Sequence, residues 1–251
     1  DYIVYRLTNK LVTDFSDAAG TWLLDQKNRK WSEPVLQTVG IDVRKLPELK
    51  ESTEIAGMVT PAISRLFGFE KEARVCCGGG DTPVGALGLG CVTPGQSIIS
   101  LGTSAHVFMP ADSYESDPST LIHSFCHSLP GRWYHMAALL NGAGVLQWFG
   151  KMTGGEIEDL DSLLSANYAD VATPVFLPYL NGERTPHDNP AARGVFFGLD
   201  TTVEQVDLYQ AVLEGVGFAL KEGYECLRQI VPAVSHFSLI GGGARSRIWA
   251  E

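Results

Sequence analysis

Glycine clusters at the ends of apolar strands constrain this chain more than any other feature. Arg74-Val75-Cys76-Cys77 runs into Gly78-Gly79-Gly80-Asp81, Ser97-Ile98-Ile99-Ser100-Leu101 into Gly102-Thr103-Ser104, and Phe237-Ser238-Leu239-Ile240 into Gly241-Gly242-Gly243-Ala244. Glycine at a strand end lets backbone N–H groups approach an anion with no Cβ in the way. One such turn decides little. Three of them, one ending in a carboxylate, point to phosphates held between two lobes with a base nearby.

A chain of 251 residues that is 45% hydrophobic builds one large core or two modest ones. Its net charge of −10 argues against nucleic-acid and anionic-membrane partners, which need a basic face. An acidic chain still binds a nucleotide through glycine loops and Mg²⁺. The five cysteines (Cys76, Cys77, Cys91, Cys126, Cys226) are odd in number and lack metal-ligand spacing. Adjacent Cys76 and Cys77 point to opposite faces of a strand and read as small buried hydrophobes, which fits a reducing cytoplasm better than a disulfide framework. No apolar run approaches the ~20 residues of a membrane span, and no basic-then-apolar signal opens the chain. A homodimer is compatible with the sequence, which does not fix an oligomeric state.

Residues 1 to 73 read as mostly helical: Val35, Leu36 and Val39, then Ile63, Leu66 and Phe67, have helical spacing, with Gly40 and Gly68 as stops. A strand ending at Cys77 leads through the first turn to a helix of small residues from Pro83 to Gly90. From Gly95 the texture is β, with a hairpin of 96–101 and 105–109 and a further strand over 133–137. Helices follow over 145–151 and 157–165, then a short strand over 174–180. The longest helix spans 206–230, with Leu208, Val212, Phe218, Ala219 and Leu227 near one face, and the last strand is 237–240. Hairpin, helix, then strand–helix–strand is the order of an actin-like, ribonuclease-H-like α/β domain. A boundary near residue 92 divides the chain into 1–91 and 92–251.

Asp81 follows a strand and three glycines at a helix start, where the positive end of the helix favours a charged carboxylate, as a general base needs. An Asp N-cap has the same local sequence, and the two roles can coexist. Gly102-Thr103-Ser104 offers N–H groups and hydroxyls between paired strands, either as a phosphate clamp or as an ordinary tight turn. It is not the Lys-containing strand-to-helix P-loop. Gly241-Gly242-Gly243-Ala244 places a helix N-terminus where phosphate or ribose oxygens bind, and close strand–helix packing explains it equally well. Asn181-Gly182-Glu183-Arg184-Thr185-Pro186-His187 lines a cleft or is a solvated connection held by a Glu–Arg pair. His123, His127 and His135 read as structural rather than as a zinc site. Trp148 and Phe149 read as core.

Taken together, these residues resemble the FGGY family of carbohydrate kinases. Gly194-Val195-Phe196-Phe197-Gly198-Leu199, then Asp207-Leu208, then Ala211-Val212-Leu213-Glu214 follow that family's C-terminal signature. Gly80-Asp81, Ser100–Ser104 and Gly241–Ser246 fall in the family's order, as does Ser16-Asp17-Ala18-Ala19-Gly20-Thr21. The His123–His127 and Gly182–His187 stretches look most like members that phosphorylate the ketopentose D-xylulose; glycerol kinases differ at the latter.

The resemblance implies two actin-like lobes with a sugar deep in the cleft and ATP, with Mg²⁺, held mainly by the second. It implies that Asp81 is the catalytic base, that Gly102 and Thr103 contact ATP phosphates, and that Gly243, Ala244 and Arg247 lie beside the adenosine. Ala143 and Gln147 match a further nucleotide-contacting stretch, where the family often has Gly in place of Ala143. Measured against the family, the first phosphate loop, most sugar contacts and the closing C-terminal helices are absent, so the chain reads as a fragment carrying the base and much of the nucleotide lobe. From another functional class, an actin-like nucleotide-binding module without transfer chemistry fits the same glycine turns but has no need of Asp81.

Overall fold

The computed structural model describes residues 1–69, 73–168 and 174–250. The chain divides into two compact units, one of Asp1–Pro94, Pro110–Glu115 and Ser124–Tyr134, the other of Gly95–Met109, Ser116–His123 and His135–Glu251.

The first unit contains α1 (Tyr2–Thr8), β1 (Val12–Asp14), α2 (Phe15–Ala18), β2 (Leu24–Asp25), β3 (Lys30–Trp31), α3 (Glu33–Val39), β4 (Glu48–Lys50), β5 (Ile55–Met58), α4 (Pro61–Phe67), β6 (Arg74–Cys76) and α5 (Asp81–Gly88). The expectation of a mostly helical segment up to residue 73 is therefore corrected, because β1 to β5 intervene. Each of them is two to four residues long, too short for alternation to register against the longer helical periods. α3 and α4 stand where the apolar spacing placed them, and Gly40 (φ 70) and Gly68 (φ 71) end them in the left-handed region. Ala18, Ala19, Leu24 and Cys126 form one small core with Phe15, Trp31 and Trp133 packed on it. Val12, Ala56 and Cys77 form another. Of the adjacent cysteines only Cys77 is buried. Cys76 is exposed, because alternation sends it to the opposite face of β6.

The remaining elements are β7 (Gln96–Leu101), β8 (Ala105–Ala111), β9 (His123–Cys126), β10 (Trp133–Leu139), α6 (Gly144–Thr153), α7 (Ile157–Asn167), β11 (Val175–Leu177), β12 (Val195–Phe197), α8 (Gln205–Leu227), β13 (His236–Ile240) and α9 (Arg247–Ala250). All belong to the second unit except the end of β8 from Pro110, β9 from Ser124 and the first two residues of β10, which are counted with the first. A five-stranded sheet has the order β13-β7-β8-β10-β9. β7 and β8 form the expected hairpin, with Leu101 opposite Ala105. β13 runs parallel to β7, Ile240 beside Ser100, so the second and third glycine turns leave the same end of neighbouring strands.

α8 supplies the crossover that a parallel pair requires. It starts at a reciprocal cap between Glu204 and Asp207 and buries Tyr209, Val212, Val216 and Leu227 completely. A fully buried side chain of this kind contributes roughly 1.5–3 kcal/mol. Phe218, expected on the packed face, is instead 61% exposed. It stands one residue, about 100° of helix rotation, away from the buried row through Ala219 and Gly223. Phe149 is buried and Trp148 stacks on Phe176 at 6.0 Å, both as core elements. Among the described residues no helix is long and apolar enough to cross a membrane.

Candidate active site

In the first unit the Gly78–Gly80 loop delivers Asp81 to the head of α5. Gly80 is the N-cap and Asp81 the first helical residue, so the N-cap reading of Asp81 is corrected. Its carboxylate is exposed; Oδ1 accepts from the Thr82 N–H at 2.6 Å and from the Thr82 hydroxyl at 3.3 Å. Among the described residues Oδ2 accepts no hydrogen bond. The loop behind it is firmly held. Gly78 has φ 84 and donates its N–H to Ser52 O at 3.0 Å, and Gly80 N–H donates to Ser16 Oγ at 2.9 Å. A Cβ on Gly79 would lie 2.3 Å from Ser128 Oγ, which accounts for the middle glycine.

In the second unit three loops converge on the end of β7. The carbonyls of Gly102 and Thr103 accept from the N–H groups of Ala143 (2.7 Å), Gly142 (3.1 Å) and Gly144 (3.3 Å), which turns two acceptors away from an incoming anion. A Cβ on Gly142 would lie 2.4 Å from Ser104 O, and one on Gly144 2.9 Å from the Thr103 side chain. Both glycines exist for this contact. Gly241 has φ 92 and packs against Leu101 O; a Cβ on Gly243 would meet Leu101 Cβ at 2.7 Å and the Trp249 ring at 2.8 Å. Gly241 and Gly243 are thus fixed by packing. Gly242 faces open space, with nothing within 4 Å of its Cβ position, and Gly102 meets only Ser104 O at 3.5 Å. These two open positions are where a nucleotide's phosphates could lie against backbone.

Of the residues expected to hold nucleotide, the second unit therefore brings Gly102, Thr103, Ala143 and Gly243 together. Ala244 follows in the same turn, its N–H donating to Gly241 O at 3.3 Å. Arg247 opens α9 and is exposed, as is Gln147 one turn into α6 from Ala143. Asn141, Gly142 and Gly144 escaped the sequence reading. Their signal was a fourth glycine-rich strand exit, Asn141-Gly142-Ala143-Gly144 after β10, equivalent in kind to the other three.

The Gly182–His187 loop is not a solvated connection. Glu183 is 2% exposed and turns inward, accepting from the N–H groups of Leu140 (2.8 Å) and Arg184 (2.7 Å) and from Asn141 Nδ2 (3.3 Å). Thr185 is fully buried and donates to Leu121 O at 3.0 Å. The loop brackets the β10 exit, and through Asn141 it holds the Gly142–Gly144 turn. His127 and His135 are buried; burial pushes His127 down to about 4, so its imidazole is neutral, with Nδ1 accepting from the Leu129 N–H. Burial likewise raises the Cys77, Cys91 and Cys126 thiols to about 11, which marks them as packing groups.

Residues 98–251 match the C-terminal domain of the FGGY family of carbohydrate kinases, and residues 1–88 match its N-terminal domain. The chain belongs to the FGGY family of carbohydrate kinases. This FGGY chain is 43% identical over 254 residues to the xylulose kinase of Escherichia coli strain K12, covering all of itself and 52% of that relative. The crystal structure of a xyloylose kinase from Brucella ovis has a TM-score of 0.96 at 36% identity, with 99% of this chain and 51% of that one covered. The gluconate kinase of Lactobacillus acidophilus has a TM-score of 0.87 at 26% identity, over 99% of this chain and 51% of that one. The FGGY chain thus spans about half the length of the relatives it matches. Its fold is the actin-like, ribonuclease-H-like ATPase fold of these kinases.

Proposed function

We propose that the protein phosphorylates a ketopentose with ATP, converting D-xylulose to D-xylulose 5-phosphate. The observation that carries this is the exposed Asp81 carboxylate, half of it unengaged, at the head of α5 in an FGGY chain. In this reading residues 1–91 belong to the sugar-binding lobe and 92–251 to the nucleotide-binding lobe. Asp81 takes the proton from the sugar hydroxyl. Gly102, Thr103, Gly243, Ala244 and Arg247, with Ala143 and Gln147, hold ATP, which enters as its Mg²⁺ complex. Phosphoryl transfer asks the protein mainly for positioning and charge neutralisation, and the open backbone at Gly102 and Gly242 fits that demand. The cysteines, all free and without framework spacing, suit a cytoplasmic enzyme.

Xylulose is favoured over other sugars by the 43% identity to a xylulose kinase, and gluconate is kept as the second reading by a structural neighbour at 26% identity. The test is ADP release by a polypeptide that contains this sequence at the length of its relatives. It is offered D-xylulose, D-ribulose, gluconate and glycerol in turn. The highest kcat/KM is expected for D-xylulose. A preference for gluconate or glycerol would reassign the substrate, and absence of sugar-dependent ADP release with every compound would leave a nucleotide-binding module.

A further inference from the structure

We propose that Asp14 and Ser16 are positioning residues for the base, a proposal that rests on the reading of Asp81 above. Asp14 is buried, and its Oδ2 alone accepts from the Ser16 N–H (2.8 Å), the Ser16 hydroxyl (2.5 Å) and the Ser52 hydroxyl (2.7 Å). Those two serines hold the two ends of the glycine loop. Ser52 O receives Gly78 N–H, and Ser16 Oγ receives the N–H of Gly80, the residue before Asp81.

Proton directions follow from the charges. A carboxylate only accepts, so the single Ser16 hydroxyl proton is committed to Asp14. Ser16 Oγ is thereby an acceptor toward everything else, and in its 3.0 Å pair with Ser128 the Ser128 hydroxyl donates. One buried charge thus orients four groups so that the Gly80 N–H has a fixed acceptor. Asp14 also caps α2 through the Ser16 and Asp17 N–H groups. That ordinary role accounts for neither the Ser52 bond nor the Gly80 bond.

Ser16→Ala removes the acceptor and leaves the glycine loop free to shift. A misplacement of about 1 Å costs up to about 10²-fold in rate, so kcat is expected to fall toward that limit with the ATP KM unchanged, and Ser16→Thr should restore most of it. The decisive arm is a double-mutant cycle with Asp81→Asn. If Ser16 acts through Asp81, Ser16→Ala costs nothing more once Asp81 is Asn, whereas a role in general stability lowers the residual rate by the same factor in both backgrounds. Faster hydrogen exchange at the Gly80 amide, with unchanged exchange in the second unit, gives an independent readout in the 251-residue chain. Should Ser16→Ala fail to fold, Ser128→Ala carries the same cycle with a smaller expected loss. An unchanged kcat in a folded serine variant, or equal losses in both backgrounds, overturns the proposal. Full activity of Asp81→Asn alone would instead remove the base reading beneath it.

Discussion

Gly242 and Gly243 are neighbours in one turn, yet the structure assigns them opposite sensitivities. A Cβ on Gly243 would lie 2.7 Å from Leu101 Cβ and 2.8 Å from the Trp249 ring, while one on Gly242 would meet nothing within 4 Å. Leu101 Cβ belongs to a central strand and cannot swing aside, so Gly243→Ala must separate β7 from α9. Overpacking of this size costs about 1–3 kcal/mol. Gly242 carries no such contact, and Gly→Ala where the backbone permits it stabilises by about 0.4–1 kcal/mol through the unfolded chain. Urea unfolding should therefore show Gly243→Ala losing stability and Gly242→Ala keeping or gaining it. ATP titration should show weaker binding for Gly242→Ala, whose new methyl occupies the space a phosphate would use. A Gly243→Ala protein as stable as the parent would refute the packing argument, and an unchanged ATP affinity in Gly242→Ala would refute the assignment of this turn to nucleotide.

Gly142→Ala places a methyl 2.4 Å from Ser104 O; it should cost about 1–3 kcal/mol by overpacking and weaken ATP binding together with stability, measured by the same two titrations. His127 gives a pH dependence. Its value is about 6.5 when unfolded and about 4 when folded, so the unfolded chain binds the proton first and stability is lost as pH falls from about 6.5 toward 4. The loss at pH 5 is about 2 kcal/mol. Thermal unfolding at pH 5 and at neutral pH should show that His127→Gln reduces this difference, and an unaltered difference would show that other groups set it.

Long and strongly periodic elements were legible in the sequence, and contacts between loops were not. α8, the β7–β8 hairpin and β13 stand where apolar spacing and glycine stops put them, because each runs long enough for its period to show. β1 to β5 of the first unit were missed because two to four residues carry no period, whereas β6, equally short, was found because the glycine turn after Cys77 marks its end. Asp81 was legible from its place between a glycine loop and a helix, but its N-cap alternative was settled only by Gly80 occupying that position. The third turn illustrates the limit well: three consecutive glycines look equivalent on paper, yet Leu101 and Trp249, remote in sequence, decide which of them packing requires. Ser16 and Ser128 lie 112 residues apart, and no local pattern announces that they meet behind the glycine loop before Asp81.

The central claim is that Asp81 accepts the proton of the sugar hydroxyl, and Asp81→Asn in a polypeptide of the relatives' length tests it most directly. Asparagine keeps the shape and can still accept from the Thr82 N–H, the main contact Asp81 makes to its own helix. Thermal midpoint and ATP affinity should therefore stay at the parent's values, while kcat for sugar phosphorylation falls by about 10²–10⁴-fold, the usual consequence of removing a general base. An Asn variant that kept more than about a tenth of the parent kcat, well outside that range, would contradict the account and leave Asp81 as a helix-terminus residue without a chemical role.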